Sequence, residues 1–293
     1  MKKAFLQLHI AIFLAGFTGV FGRLITINEA LLVWYRMFFA AIILLVIAMF
    51  TRKLVHPDRK TKFRLIGIGF IIALHWVFFY GSIKYANISV GLVCFSAMGF
   101  FSSLLEPFIL KRKFDFVEML LGFIVMIGVY LIFHFGNQYR TGIIFGIISS
   151  LLAASFTIFN KKLVGRCDPE TITFYELGGG WLTLTFFLPI YFYWIPVGRI
   201  IPSGSDLFWL LVMSLFCTVL AFNLSIRSLQ KISPFTVNLS YNLEPVYGIA
   251  LAFLIYKEHT LLGFSFYIGL ALIILTVLIQ TWRSWRGHVK TET

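Results

Sequence analysis

The chain has 293 residues, 59% of them hydrophobic and only 13% charged, with a net charge of +13. So much apolar surface excludes a soluble domain of this size and fits a polytopic membrane protein built as one bundle. The positive charge does not call for a nucleic-acid partner, because the basic residues lie in short loops between apolar runs, where membrane orientation accounts for them.

In chain order, apolar runs predict spanning helices over 4–22, 30–50, 65–83, 88–110, 115–135, 141–160, 170–194, 206–226, 234–256 and 261–282. Each is long enough for a hydrocarbon core of about 30 Å. The first run has no small-x-small cleavage site before Arg23 and is longer than a signal-peptide core, so it is read as a helix rather than a leader. The longest loops, Thr51–Arg64 and Ile195–Ser205, leave no room for a soluble domain. With the N-terminus inside, 19 of the 25 Lys and Arg residues fall in cytoplasmic segments and five in outer ones; Arg36 alone lies well inside a helix. That asymmetry predicts both termini in the cytoplasm. Cys94, Cys167 and Cys217 show neither a disulfide framework nor metal spacing, and no cofactor is expected.

The ninth run holds Leu243-Glu244-Pro245, and the same triplet occurs at Leu105-Glu106-Pro107. A carboxylate at the centre of a span costs about 2.5–3.5 kcal/mol on insertion scales. Pro245 lacks an N–H, so the carbonyl of Tyr241 loses its helical partner and needs protein or a water-lined cavity instead. Asn238, Tyr241 and Asn242 lie at helical spacing from Pro245, on one face. Glu244 is therefore the leading substrate-path candidate, either binding a cationic group or exchanging a proton; the alternative is a cap or bridge between helices. Glu106 is five residues from Lys111, where a salt bridge to the Lys111–Lys113 cluster competes with a role in the path. His75, Trp76 and Tyr80 in the third run, with Asn223 in the eighth, complete the path candidates. Arg36 and Glu176 are read as gate or structural charges near opposite faces, too far apart to bridge each other. Buried amides and an imidazole need partners, and a guanidinium fork suits a carboxylate or phosphate.

The halves of the chain resemble each other at offsets of 140–144. Ser82-Ile83-Lys84 matches Ser225-Ile226-Arg227, Ile88-Ser89 matches Ile232-Ser233, and Leu120-Leu121-Gly122-Phe123 matches Leu261-Leu262-Gly263-Phe264. The two Leu-Glu-Pro triplets, 138 apart, break this register. An odd number of helices in each half forces the second to insert upside down. The expected fold is thus all-α: ten transmembrane helices as two inverted five-helix repeats, 1–140 and 141–282, with a cytoplasmic tail at 283–293.

Ten helices in two repeats, Tyr35-Arg36 opening the second helix, Leu-Glu-Pro in the ninth, and Lys257-Glu258 ahead of the Gly263/Gly269 helix resemble the drug/metabolite transporter superfamily, and within it the EamA-type transporters. The resemblance implies an inner-membrane carrier working by alternating access, exporting an amino acid or another small metabolite through a cavity lined largely by helices 3, 4, 8 and 9. Leu-Glu-Pro in the fourth helix departs from the family's more apolar pattern. The expected partners are a small-molecule substrate and the bilayer, with proton coupling open. The alternatives are a lipid or drug flippase of the same fold, or a non-transport scaffold. An enzyme is not expected: there is no HExxH, no serine–histidine–acid order and no phosphate-binding loop.

Overall fold

The computed structural model describes residues 2–51, 56–133, 139–195, 197–257 and 264–289. Arg52, Lys53 and Lys290 of the charge count, and Glu258 and Gly263 of the family motif, lie outside them. The described residues are helical, with one isolated bridge between Val164 and Cys167 and no strand. The helices are α1 (Lys2–Gly16), α2 (Thr18–Leu24), α3 (Glu29–Thr51), α4 (Arg59–Tyr85), α5 (Ile88–Phe95), α6 (Met98–Leu110), α7 (Phe116–Phe133) and α8 (Arg140–Leu163). After them come α9 (Pro169–Trp194), α10 (Gly204–Val212), α11 (Ala221–Leu229), α12 (Pro234–Ser240), α13 (Glu244–Tyr256) and α14 (Phe264–Val289). A π-helical stretch, Met213–Leu220, joins α10 to α11, and a 3₁₀ turn, Tyr241–Leu243, joins α12 to α13.

Helix covers most of the described part of every apolar run. Among the described residues, six segments are long and apolar enough to cross a bilayer: Lys2–Leu24, Glu29–Phe50, Arg59–Tyr85, Ile88–Leu110, Arg140–Leu163 and Gly204–Leu229. Two shorter apolar helices, Phe116–Leu131 and Tyr267–Arg283, accompany them. The distribution of side chains is that of a membrane protein. Phe50, Phe108, Phe186, Tyr193 and Leu254 face outward, while Arg36, His75, Glu106, Glu176, Asn238 and Glu244 are buried. Lipid takes the place of a hydrophobic core's exterior, and polar groups collect where protein can satisfy them.

The sequence predicts ten continuous helices, and four of the runs are interrupted. The first breaks at Phe17, the fourth at Ser96–Ala97, the eighth widens into the π stretch, and the ninth tightens into the 3₁₀ turn. Two of these breaks show their cause in the local hydrogen bonding. Pro245 removes a donor, and the N–H of Glu244 turns back to the Tyr241 carbonyl, closing a tighter turn around the acceptor that proline would otherwise orphan. At the fourth helix the N–H groups of Ser96 and Ala97 bond Val93 and Cys94, three residues back. The Leu92 carbonyl, so deprived of its usual partner, accepts the Ser96 hydroxyl at 3.5 Å.

The fourth and ninth helices are broken in the same way. Asn87 and Ser233 cap their starts, Met98 and Glu244 open their second pieces, and Lys111 and Lys257 end them in the left-handed region at φ 55° and 54°. All three pairs are offset by 146 residues. In that register Glu244 corresponds to Met98, and Glu106 to Ala252. The two Leu-Glu-Pro triplets therefore occupy different places in equivalent elements.

α9 meets α4 backbone to backbone. A Cβ added at Gly69 would collide with the Glu176 carbonyl, and one at Gly180 with the carbonyl of Gly69. Such contact requires glycine and brings the α9 charges into the middle of the bundle.

Candidate functional site

The four interruptions converge on one cavity of about 70 Å³. Thr18 contributes from just after the first break, Met98 from just after the second, Cys217 from the π stretch, and Tyr241 and Glu244 from the 3₁₀ turn. α3, α4 and α8 add Arg36, His75 and Thr157 to the wall, and α1, α5, α11 and α12 complete it. Irregular backbone at membrane depth is tolerated where it lines such a space.

Arg36 is the cation of the cavity. Its Nε donates to Thr218 Oγ1 at 2.7 Å, Nη1 to the Tyr80 hydroxyl at 2.5 Å, and Nη2 to the Cys217 carbonyl at 3.1 Å. The guanidinium stacks 3.8 Å from the centre of a Trp76 ring. The π stretch makes this possible. A π turn shifts each carbonyl's partner by one residue, and Thr218 Oγ1 donates five residues back to Met213 while accepting from Arg36. Three of the guanidinium's five N–H donors are thus used, and two are left. No carboxylate among the described residues lies within ion-pair distance of it.

Glu244 is the carboxylate of the cavity. Thr18 donates to its Oε1 at 3.2 Å, but the same hydroxyl lies 2.6 Å from the Ala15 carbonyl and has one hydrogen to share. Glu244 and Arg36 therefore line one space, each incompletely satisfied, without an ion pair between them. His75 is held by α8: Nδ1 lies 2.9 Å from the Ser149 carbonyl, and the Ser149 hydroxyl donates to the His75 carbonyl at 3.0 Å. Nδ1 therefore carries the hydrogen. The ring stacks on Phe95 and faces the cavity.

The structure sorts the predicted residues into three groups. Glu244, Asn238, Tyr241, His75, Trp76 and Arg36 line the cavity, and Tyr80 stands behind Arg36, holding it. Arg36, read from the sequence as a gate or structural charge, is on the cavity wall, where the face of α3 that carries it turns toward the π stretch. Asn223, Asn242, Glu106 and Glu176 lie elsewhere. Asn223 accepts from Arg227 one turn along its own helix at 2.7 Å. Asn242 is displaced from the face of Asn238 and Tyr241 by the 3₁₀ turn and packs toward Gly99. Thr18, Thr218, Cys217 and Met98 were missed, since small or apolar residues in an apolar run carry no signal until the breaks are known.

Glu106 has a different task. Its Oε2 accepts the Phe235 N–H at 2.7 Å, one of the unpaired donors at the start of α12. Its Oε1 lies 3.2 Å from Arg112 Nε, off the line of a hydrogen bond, and Arg112 also pairs with Glu118. Lys161 donates to the carbonyls of Leu229 and Ile232 at the adjoining end of α11. These contacts tie α6, α8, α11 and α12 together at one end of the cavity. At the other end Asp206 accepts the Thr26 N–H at 2.7 Å, and Lys84 bonds the Ile27 carbonyl.

Residues 2–134 and again 140–282 match the EamA-like transporter family. The chain belongs to that family. An uncharacterized transporter of Haemophilus influenzae is 25% identical over 154 residues, which are 50% of each chain, so the match spans about half the length of this curated relative. A solved crystal structure superimposes with a TM-score of 0.73 over 98% of this chain and 99% of its own, at 14% identity, a likeness of fold. This member of the EamA-like transporter family is thus a multi-pass helical membrane protein with a cation and a carboxylate in a cavity at the meeting point of broken helices.

Proposed function

We propose that this EamA-family protein is a secondary carrier of small zwitterions, with an amino acid as the simplest substrate, moved outward across the inner membrane by alternating access. The observation that carries the reading is the pair of opposite charges sharing one cavity unbridged. Arg36 keeps two N–H donors for a carboxylate, and Glu244 offers an acceptor for an ammonium group. Phe79, Phe95 and Phe222 give the rest of the wall an apolar surface for a side chain. About 70 Å³ holds a few waters and no metabolite, so binding requires the helices around the cavity to part.

The architecture we assign is ten spanning helices in two inverted repeats, 1–140 and 141–282, with both termini cytoplasmic. Its support is the constant offset of 146 between the broken fourth and ninth helices, together with the placement of both Met98 and Glu244 on the cavity wall. The Glu106–Phe235 cap and the Asp206–Thr26 bond then stand at opposite ends of the path, and alternating access releases one while keeping the other.

Counterflow into proteoliposomes tests the reading. Saturable exchange of a zwitterionic amino acid is expected, with weaker exchange of its methyl ester and of the matching amine. Equal exchange of all three rejects the bipolar site. Exchange of none, alongside movement of a fluorescent lipid or a hydrophobic cation, establishes the flippase or drug-exporter alternative.

A further inference from the structure

Glu176 lies outside the cavity and is fully buried in α9. Asn160 Nδ2 donates to its Oε2 at 3.3 Å. Glu176 Oε1 and Asn160 Oδ1 are both buried, and neither has a hydrogen-bond partner. Both are acceptors when the carboxyl is ionised, so the pair lacks a donor. Among the described residues, the neighbouring elements do not supply one. On α3, Arg36 is engaged with Thr218, Tyr80 and Cys217. On α4, His75 is held by Ser149, Lys62 lies over the Tyr175 ring and Arg64 is exposed. On α8, Lys161 serves the α11 carbonyls and Lys162 is exposed. On α11, Arg227 pairs with Glu170, the other carboxylate of α9. An ionised Glu176 would be a buried charge with one neutral hydrogen bond.

One proton removes both defects. On the carboxyl it cancels the charge and supplies the missing donor. A carboxylic acid and a carboxamide are planar groups that close a reciprocal pair, with N–H donating to one carboxyl oxygen and O–H donating back to the amide oxygen. We propose that Glu176 is a proton-binding site, a carboxylic acid in this conformation with the Asn160 amide as its partner. A hydronium ion delivers the proton: one of its O–H bonds breaks, leaving water, as the O–H bond on the carboxylate forms, and the proton returns to water when the pair opens.

The location gives the proton a use. Thr157, one turn before Asn160, is on the cavity wall, and the Glu176 carbonyl is the point where α9 rests on Gly69. Parting of α8 and α9 disturbs the cavity wall and breaks the acid–amide pair together. That consequence rests on the carrier reading above; the proton site itself does not.

Infrared difference spectra of the purified protein in liposomes at neutral pH, wild type minus Glu176→Gln, test the assignment. The expected result is the C=O stretch of a protonated carboxylic acid, shifted on deuteration and missing from the variant. Carboxylate bands in its place overturn the proposal. Gln matches the shape and neutrality of the acid and is expected to fold. Should it not, Asn160→Leu serves: removing the amide acceptor raises the acid's C=O frequency, whereas a change confined to carboxylate bands overturns the assignment. Counterflow run beside the spectra separates the two proposals. Exchange without the acid band sinks the proton site alone, and the acid band without exchange sinks the carrier reading alone.

Discussion

Replacing Arg36 with lysine keeps a positive charge in the cavity and removes the planar fork. The guanidinium uses three donors on Thr218, Tyr80 and Cys217 and has two left. An ammonium group has three donors in all, so one that keeps the protein contacts has none to spare for a substrate carboxylate. A hydrogen bond to a charged group contributes about 1.5–3 kcal/mol. Losing the substrate's share of such contact corresponds to a rise of about 10- to 150-fold in the half-saturation concentration. The assay is counterflow of an amino acid and of the amine that lacks its carboxylate, using variant protein matched to wild type by size-exclusion profile. Arg36→Lys is expected to weaken the amino acid by that factor and to leave the amine within about twofold. Equal losses for both would show that Arg36 only holds the π stretch in place, and the bipolar reading would fail.

Glu106→Ala removes the acceptor that caps α12 and the charge that faces Arg112. A lost cap costs about 0.5–2 kcal/mol, and the expected result is faster maleimide labelling of Cys217 on the cavity wall, with unchanged labelling counting against a closure at that end. Gly69→Ala forces α4 and α9 apart; overpacking of this kind costs about 1–3 kcal/mol, so thermal stability in detergent should fall, while Gly67→Ala, which has open space, should be neutral. Asp58, in the loop before α4, has its carboxyl held below the usual carboxylate range by hydrogen bonds from the Thr61 side chain and backbone. Because the folded value is depressed, its stabilisation of the α4 start is complete above the ordinary carboxylate range and fades as pH falls through the depressed one. Amide exchange at Thr61 should therefore quicken in acid beyond its intrinsic trend, and Asp58→Ala should show the fast rate at every pH.

Hydropathy was enough to find the apolar runs, because a span must be long and apolar whatever it packs against. It was not enough to find the breaks. Pro245 announces the 3₁₀ turn, but no proline lies at Ser96 or in Met213–Leu220, where side-chain hydroxyls and a guanidinium take up the displaced carbonyls. Depth was legible for Arg36 and direction was not, since the neighbours of a helix face are fixed only by packing. The two Leu-Glu-Pro triplets make the point sharply. They are identical in sequence, yet one begins a half-helix at the cavity and the other lies eight residues into its equivalent, capping a neighbour. What separates them is their distance from a break, and the triplet itself does not encode that.

The glycine seam between α4 and α9 bears on how such a protein can vary. Where side chains meet, a larger residue on one helix can be answered by a smaller one on the other. At Gly69 the opposing atoms are main chain, which every amino acid shares, and at Gly180 the Gly69 carbonyl stands beside the Met37 methyl, so no side-chain substitution opposite can by itself make room. A larger residue at this contact has no compensating partner, whereas outward-facing positions of the same helix, such as Phe186 and Tyr193, have no protein neighbour packed tightly over them. In this chain the cavity wall can therefore accept side-chain changes that the seam beside it cannot.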